Sequence, residues 1–413
     1  MKILYLSHCT PYPPNKGEKI RTFHEVRCLS QRHEIHLACL TQDQADLQHS
    51  HDLGRFCESV KIVSFTARRA KLKCLPYLLT PSPLSVPYFY HQELQQHINW
   101  LLQNFHFDAI ICFSSPMAEY IFRSTKSSKN WHSNGTRPLL IMDYCDLDSD
   151  KWRQYAASSS WPGSWIYGRE ARELLAYEHR INKVFDHSIF TTRAEVKLFQ
   201  CLCPDVKQLS AIANGVDVDY FHPDSISSQT IEDIKKNNDP MLLFTGAMDY
   251  QPNIDGVLWF HKQIYPLIRK IIPQVCFFIV GSRPTEELTK LHGKDGITVT
   301  GFVDDIRPYY AAADLSVVPL RMARGVQNKI LEALAMGKAL VSTSMALEGI
   351  EAQPGRELKV ADNPETFAQQ VLDLLAQPKK RTQFGLMGRQ FVNQHHSWDD
   401  NMSRLEELLI TKK

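Results

Sequence analysis

Lys329 and Glu332 stand three residues apart in the tract Asn328-Lys329-Ile330-Leu331-Glu332-Ala333-Leu334-Ala335, which runs to Gly337. At that spacing they share one face of a helix, while Ile330, Leu331 and Leu334 face a core. A helix start presents free N–H groups and the positive end of the peptide dipoles, which suits a phosphate. An ammonium adds a point charge, and a carboxylate can accept two hydrogen bonds from a ribose diol. A nucleotide diphosphate sugar needs such a set. The same spacing also describes an ordinary ion pair on a helix surface, and the pair alone does not separate the two.

Other groups with chemistry lie where strands give way to loops. After the first strand comes Ser7 to Lys19, a Pro-rich loop entering a helix at Gly17; Lys16 and Lys19 flank that helix start and suit an anion. Asp143, Asp146, Asp148 and Asp150 follow the strand 138–142 and are expected on a loop. Asp143 and Asp146 could take a proton from a sugar hydroxyl or join a metal site; solvation and helix capping are the alternatives. Ser114 and Ser115 could bond a substrate or cap the helix that follows. Gly281-Ser282-Arg283 could bring Arg283 to a phosphate, and Gly301-Phe302-Val303 could give backbone groups to a base. Asn214-Gly215 reads as a turn.

Strand and helix patterns alternate along the whole chain. Strands are expected at 2–6, 34–40, 60–65, 108–113, 138–142, 187–191 and 208–213, and again at 240–245, 275–280, 297–300, 314–320 and 340–343. Helical patterns lie between them, among them 17–29, 93–104, 169–184, 254–270 and 365–377. Continuous apolar strands separated by helices imply parallel sheets covered on both faces. Two such series give an α/β chain of two Rossmann-like, doubly wound domains. Residues 1–223 form the first, expected to take the acceptor. The polar tract 224–239 reads as a linker, and 240–395 form the second domain, expected to bind the donor. Ligands of such sheets sit at the carboxyl ends of the strands, so a cleft between the domains is the expected site.

A chain of 413 residues fits two domains. Its net charge of +2 argues against a nucleic-acid partner. The ten cysteines include no CxxC pair and read as reduced, mostly buried thiols, and the 17 histidines show no zinc spacing. No secretory leader or apolar run of about 18 residues is visible, which predicts a cytoplasmic protein. Arg68-Arg69-Ala70-Lys71-Leu72-Lys73 precedes a segment rich in Leu, Tyr and Phe. Residues 68–90 are therefore expected to touch the cytoplasmic face of a membrane peripherally.

Taken together, the Tyr12–Arg21 loop, Asn214-Gly215-Val216-Asp217, Gly281, Gly301-Phe302-Val303-Asp304-Asp305 and Lys329–Gly337 resemble the retaining glycosyltransferases of family four, which have the GT-B fold. Tyr144–Trp152, Gly246–Asn253 and Gly325–Gly337 look most like the sugar transferases of PEP-CTERM and exopolysaccharide systems. The resemblance implies sugar transfer from a nucleotide-diphosphate donor to a glycan or lipid-linked acceptor, with no metal and no other cofactor. It implies that Glu332 binds the ribose, Lys329 faces the diphosphate, and the Gly17 loop meets donor phosphates or acceptor. Val303 would hold the base through its backbone. Gly246, Gly325, Gln327 and Asn328 would join them, and a last helix (396–413) would pack back on the first domain. The chain departs from the family at three points. Arg324 stands where the first of two glutamates is usual. The loop Gly246–Gln251 lacks its usual Arg, for which Arg283, Arg321 or Arg324 could substitute. Phe113-Ser114-Ser115 replaces a usual His. An epimerase of the same fold and a non-catalytic subunit of a polysaccharide assembly complex are the alternative readings.

Overall fold

A computed structural model describes all residues except 15, 128–136, 236, 324 and 411–413. The chain divides into two units: Met1–Ile212 with Met402–Lys413, and Ala213–Asn401. The division falls ahead of the polar tract 224–239, which carries a short helix, Ser228–Ile234, capped by the Ser227 side chain.

The first unit holds seven strands: β1 (Lys2–Ser7), β2 (Glu34–Thr41), β3 (Ser59–Ser64), β4 (Ala109–Phe113), β5 (Leu139–Cys145), β6 (His187–Phe190) and β7 (Leu209–Ala211). Their order is β3-β2-β1-β4-β5-β6-β7, and every pairing is parallel. β4 is buried at all positions because helices cover both faces. Leu4, Leu6, Ile110, Cys112, Leu140 and Met142 form the centre of its core.

The second unit holds β8 (Met241–Thr245), β9 (Cys276–Val280), β10 (Ile297–Gly301), β11 (Leu315–Val318), β12 (Leu340–Ser342) and β13 (Lys359–Val360). The order is β10-β9-β8-β11-β12-β13, again parallel. The chain winds outward through β9 and β10 on one side of β8, then returns to β11 on the other. The winding therefore reverses between β8 and β11, and the loops leaving those two strands part there into a crevice.

Both sheets are doubly wound, as the alternation requires. In the first unit, three elements around the acidic segment differ from the sequence reading. β5 continues to Cys145, so Asp143 lies inside a strand and not on a loop. Asp148–Ser158 is a helix, because its aromatic residues pack on helix Gly163–Val184, through Trp152 on Tyr167 for example. That second helix begins at Gly163, earlier than the charged segment alone suggested. All ten cysteines are free thiols, only Cys201 being exposed. Among the described residues no helix is long and apolar enough to cross a membrane.

Candidate functional site

Helix Asn328–Ala335 starts beside the reversal of the second sheet. Ile330, Leu331, Ala333, Leu334 and Ala335 are buried, and Lys329 and Glu332 keep partly exposed side chains on the opposite stripe. The helix stops at Gly337, whose φ of 64° lets the N–H of Lys338 bond Ala333 O at 2.9 Å and that of Gly337 bond Leu334 O at 2.9 Å.

Each of the two groups has its own anchor. The ammonium of Lys329 donates to Asn253 Oδ1 and lies 4.5 Å from the centre of the Phe244 ring. Asn253 is only 4 % exposed, and its amide nitrogen donates to Ala247 O at 2.8 Å, which fixes the carbonyl toward Lys329. Glu332 Oε2 accepts from the Tyr310 hydroxyl at 3.0 Å; that hydroxyl is 2.7 Å from Thr245 Oγ1. Burial pulls Lys329 down from 10.5 to about 7, and the charge of Glu332 only partly offsets it. Burial also raises the Glu332 carboxyl, opposed by the Tyr310 hydrogen bond and by Lys329. No carboxylate touches Lys329 among the described contacts. Its ammonium is thus under-compensated, which favours an anion at that place.

Backbone closes in on the same nitrogen. A Cβ on Gly246 (φ 151°) would lie 2.7 Å from the Asn253 side chain and 3.0 Å from Lys329 Nζ. A Cβ on Gly281 (φ 153°) would lie 1.7 Å from Gly246 O, so the turns after β8 and β9 meet with no room for a side chain. Met248 N bonds Ser282 O at 2.8 Å across them.

The other residues read as donor contacts fall into three groups. Asn328 accepts from the Asn214 side chain at 3.3 Å; Gln327 precedes the helix without capping it, and Gly325 takes φ 64°. Arg321 is paired with Asp255, Nε to Oδ2 at 3.0 Å, and Arg283 lies 3.5 Å from Asp249. Both have an acidic partner that a phosphate would have to outcompete. Val303 is partly buried against the core beside Phe302, which is 66 % exposed. Arg324 lies outside the described residues.

In the first unit, Lys16 and Gly17 begin helix Gly17–Leu29, and Lys16 makes no side-chain cap. Lys19 does not face an open loop: its ammonium is bound at 2.9 Å by both oxygens of Asp46, which also accepts from Thr10 and Thr41. Asp143 is 1 % exposed and bound by Arg21, Nη2 to Oδ2 at 2.6 Å. Arg21 also reaches Glu25 at 3.0 Å and Ile212 O at 2.8 Å. A carboxylate so enclosed holds this part of the core together. Asp146 is half-buried, accepts from Thr191 at 3.2 Å, and is pushed up by burial. Among the described residues no group of three or more His, Cys, Asp or Glu could hold a metal ion.

Residues 239–377 match the family described as Glycosyl transferases group 1. That segment contains β8 to β13 and the residues that hold Lys329 and Glu332, Asn253 and Tyr310. An uncharacterised 44.6 kDa protein of the cps region of Klebsiella pneumoniae is 22 % identical over 386 residues, covering 90 % of each chain. Sucrose-phosphate synthase of Thermosynechococcus elongatus superposes with a TM-score of 0.74 at 16 % identity, over 99 % of this chain and 98 % of that one. Anabaena HepE in complex with UDP-glucose gives 0.68 at 15 % identity, over 99 % of both chains. The fold is the GT-B fold of such proteins, and its second half carries the group 1 match.

Sequence reasoning did not single out Asn253 or Tyr310. The signal was slight in both cases: an amide in the first turn of helix Gln251–Trp259, and a tyrosine in a helix entered through Arg307-Pro308.

Proposed function

We propose that this protein transfers a sugar from a nucleotide-diphosphate donor to a glycan or lipid-linked acceptor, with retention at the anomeric carbon, in the assembly of an exopolysaccharide or another cell-surface polysaccharide. The observation that carries the reading is the Lys329–Glu332 pair. Both residues sit one helical turn apart at the reversal of the second sheet, and each is held by a separate buried partner. The group 1 match over this segment, the UDP-glucose held by a protein of like fold and the cps-region relative support the same reading.

In this reading Glu332 accepts from the ribose hydroxyls, and Lys329 lies against the diphosphate. Breaking the bond between the anomeric carbon and the diphosphate oxygen leaves negative charge on the departing group. Lys329 and the N–H groups of the helix start would stabilise that charge as it grows. The reaction as proposed calls on no metal. Gly246 and Gly281 let backbone, without a side chain, approach the phosphates.

The test is donor consumption with and without acceptor. Turnover that depends on acceptor and falls on the order of a hundredfold in Lys329→Ala supports the reading. Lys329→Ala and Glu332→Ala both within twofold of the parent would remove the site. Acceptor-independent conversion to an isomeric sugar nucleotide would indicate an epimerase instead, and nucleotide binding without turnover on any acceptor a non-catalytic subunit.

A further inference from the structure

The first unit carries a solvent-facing apolar stripe with cations beside it. Helix Ala67–Cys74 buries Ala70 and Cys74. Leu72 lies on its other side, and Leu75 and Leu79 begin and end the 3-10 turn Leu75–Leu79 that follows directly. Here they face outward, with Leu72 61 %, Leu75 56 % and Leu79 93 % exposed. Arg68, Arg69 and Lys71 are exposed on the same helix and make no ion pair among the described contacts. Lys73 is engaged elsewhere, donating to Tyr90 O at 2.8 Å.

A distant part of the sequence joins this stripe. Arg169 of helix Gly163–Val184 binds the carbonyls of Leu78 at 3.0 Å, Tyr77 at 2.7 Å and Ser82 at 3.0 Å, and that of Thr80. Its neighbour Glu170 accepts from the N–H groups of Leu84 and Ser85. The two side chains buckle the segment around Leu79 to the helix. Helical side chains lean toward the N-terminus, so the buckle lies toward the turn that carries Trp165. Trp165 is 55 % exposed, and Trp161, just before the helix, is 81 % exposed. Open indoles on the element that Arg169 ties to the open-leucine segment, with cations that make no ion pair among the described contacts, are an arrangement that water does not favour and that an anionic lipid interface does.

We propose that Leu72, Leu75, Leu79, Trp161 and Trp165, with Arg68, Arg69 and Lys71, form one docking surface for an anionic lipid bilayer. The leucines and indoles enter the headgroup region, and the cations take the phosphates. The proposal sharpens the lipid-linked form of the acceptor given above, and it rests on that reading only for its purpose. Vesicle binding needs no nucleotide, and donor consumption needs no vesicle, so the two fail separately.

The test is sedimentation of the full chain with vesicles of phosphatidylcholine, alone or mixed with phosphatidylglycerol. Binding is expected only to the mixed vesicles and should weaken as salt rises. Charge reversal at Arg68, Arg69 and Lys71 together should weaken it about a hundredfold, at about fivefold per cation. Trp161→Ser with Trp165→Ser should weaken it on the order of tenfold. These positions are exposed, so both variants should melt with the parent and bind nucleotide as it does. No binding to either vesicle, equal binding to both, or binding unchanged in either variant overturns the proposal. So does a stable complex with a second protein on this surface in a chain that ignores vesicles.

Discussion

Asn253 Oδ1 accepts from the ammonium of Lys329, and the Asn253 amide nitrogen is in turn held by Ala247 O at 2.8 Å. The residues are 76 apart in sequence, one on the helix after β8 and the other on the helix after β11. A neutral carbonyl orients the ammonium without neutralising it, which leaves its charge for a ligand. Gly246→Ala would push a methyl to 3.0 Å from the same nitrogen. It is expected to lower kcat/KM for the donor at least tenfold while the protein stays folded, checked by kinetics beside a melting curve.

Lys329 titrates near neutrality because burial penalises its charge. Binding of a nucleotide diphosphate that needs the ammonium should weaken as pH rises through about 7. Titrations of the diphosphate between pH 6 and 9 are expected to show that slope in the parent and none in Lys329→Met. Asn253→Asp sets a carboxylate beside the ammonium and should move the midpoint upward. The effect on the unliganded fold has the opposite sign. The folded state releases this proton at about 7 and the unfolded chain near 10.5, so stability gains from Lys329 as pH rises across that window.

Tyr310→Phe removes the hydroxyl that Glu332 accepts from and leaves Thr245 without that contact. A lost hydrogen bond to a charged group is worth about 1.5–3 kcal/mol, which puts the fall in nucleoside diphosphate affinity on the order of tenfold or more. Calorimetric titration checks it. An effect as large on inorganic pyrophosphate would contradict a role at the ribose.

Arg21 and Asp143 form a fully buried ion pair in the first unit. Asp143→Ala breaks the buried pair and leaves the guanidinium to Glu25 and Ile212 O, so the expected cost is about 3–5 kcal/mol of stability. At roughly 2–4 °C per kcal/mol the melting temperature should fall by about 6–20 °C. A melting curve unchanged within 2 °C, with donor turnover abolished, would assign Asp143 to chemistry instead.

Glu178 is buried against Ser115 and Ser149, and burial lifts its carboxyl to about 8. The folded state holds this proton where the unfolded chain has released it. The stability it contributes is present below the ordinary value of 4.5 and is lost as pH rises through about 8. Glu178→Gln, which keeps the shape of the protonated acid, should flatten that loss. Paired melting curves at pH 4, pH 6 and pH 9 should show the variant gaining on the parent in part by pH 6 and most at pH 9.

The alternation of elements, the positions of most strands and the shared face of Lys329 and Glu332 are legible in the amino-acid order alone. These depend on hydrophobic periodicity and on spacing within one helical turn, which are local properties. The two-residue strand β13 was too short to leave such a trace. Which charged groups are free to act depends on contacts made by folding. Asp143 resembled its acidic neighbours until Arg21, 122 residues away, enclosed it, and Lys19 looked open until Asp46 bound it. Asn253 and Tyr310 gained their places because β8 and β11 pair side by side although far apart in sequence. A charge is silenced or left available by partners that folding brings from a distance, and no local pattern records them.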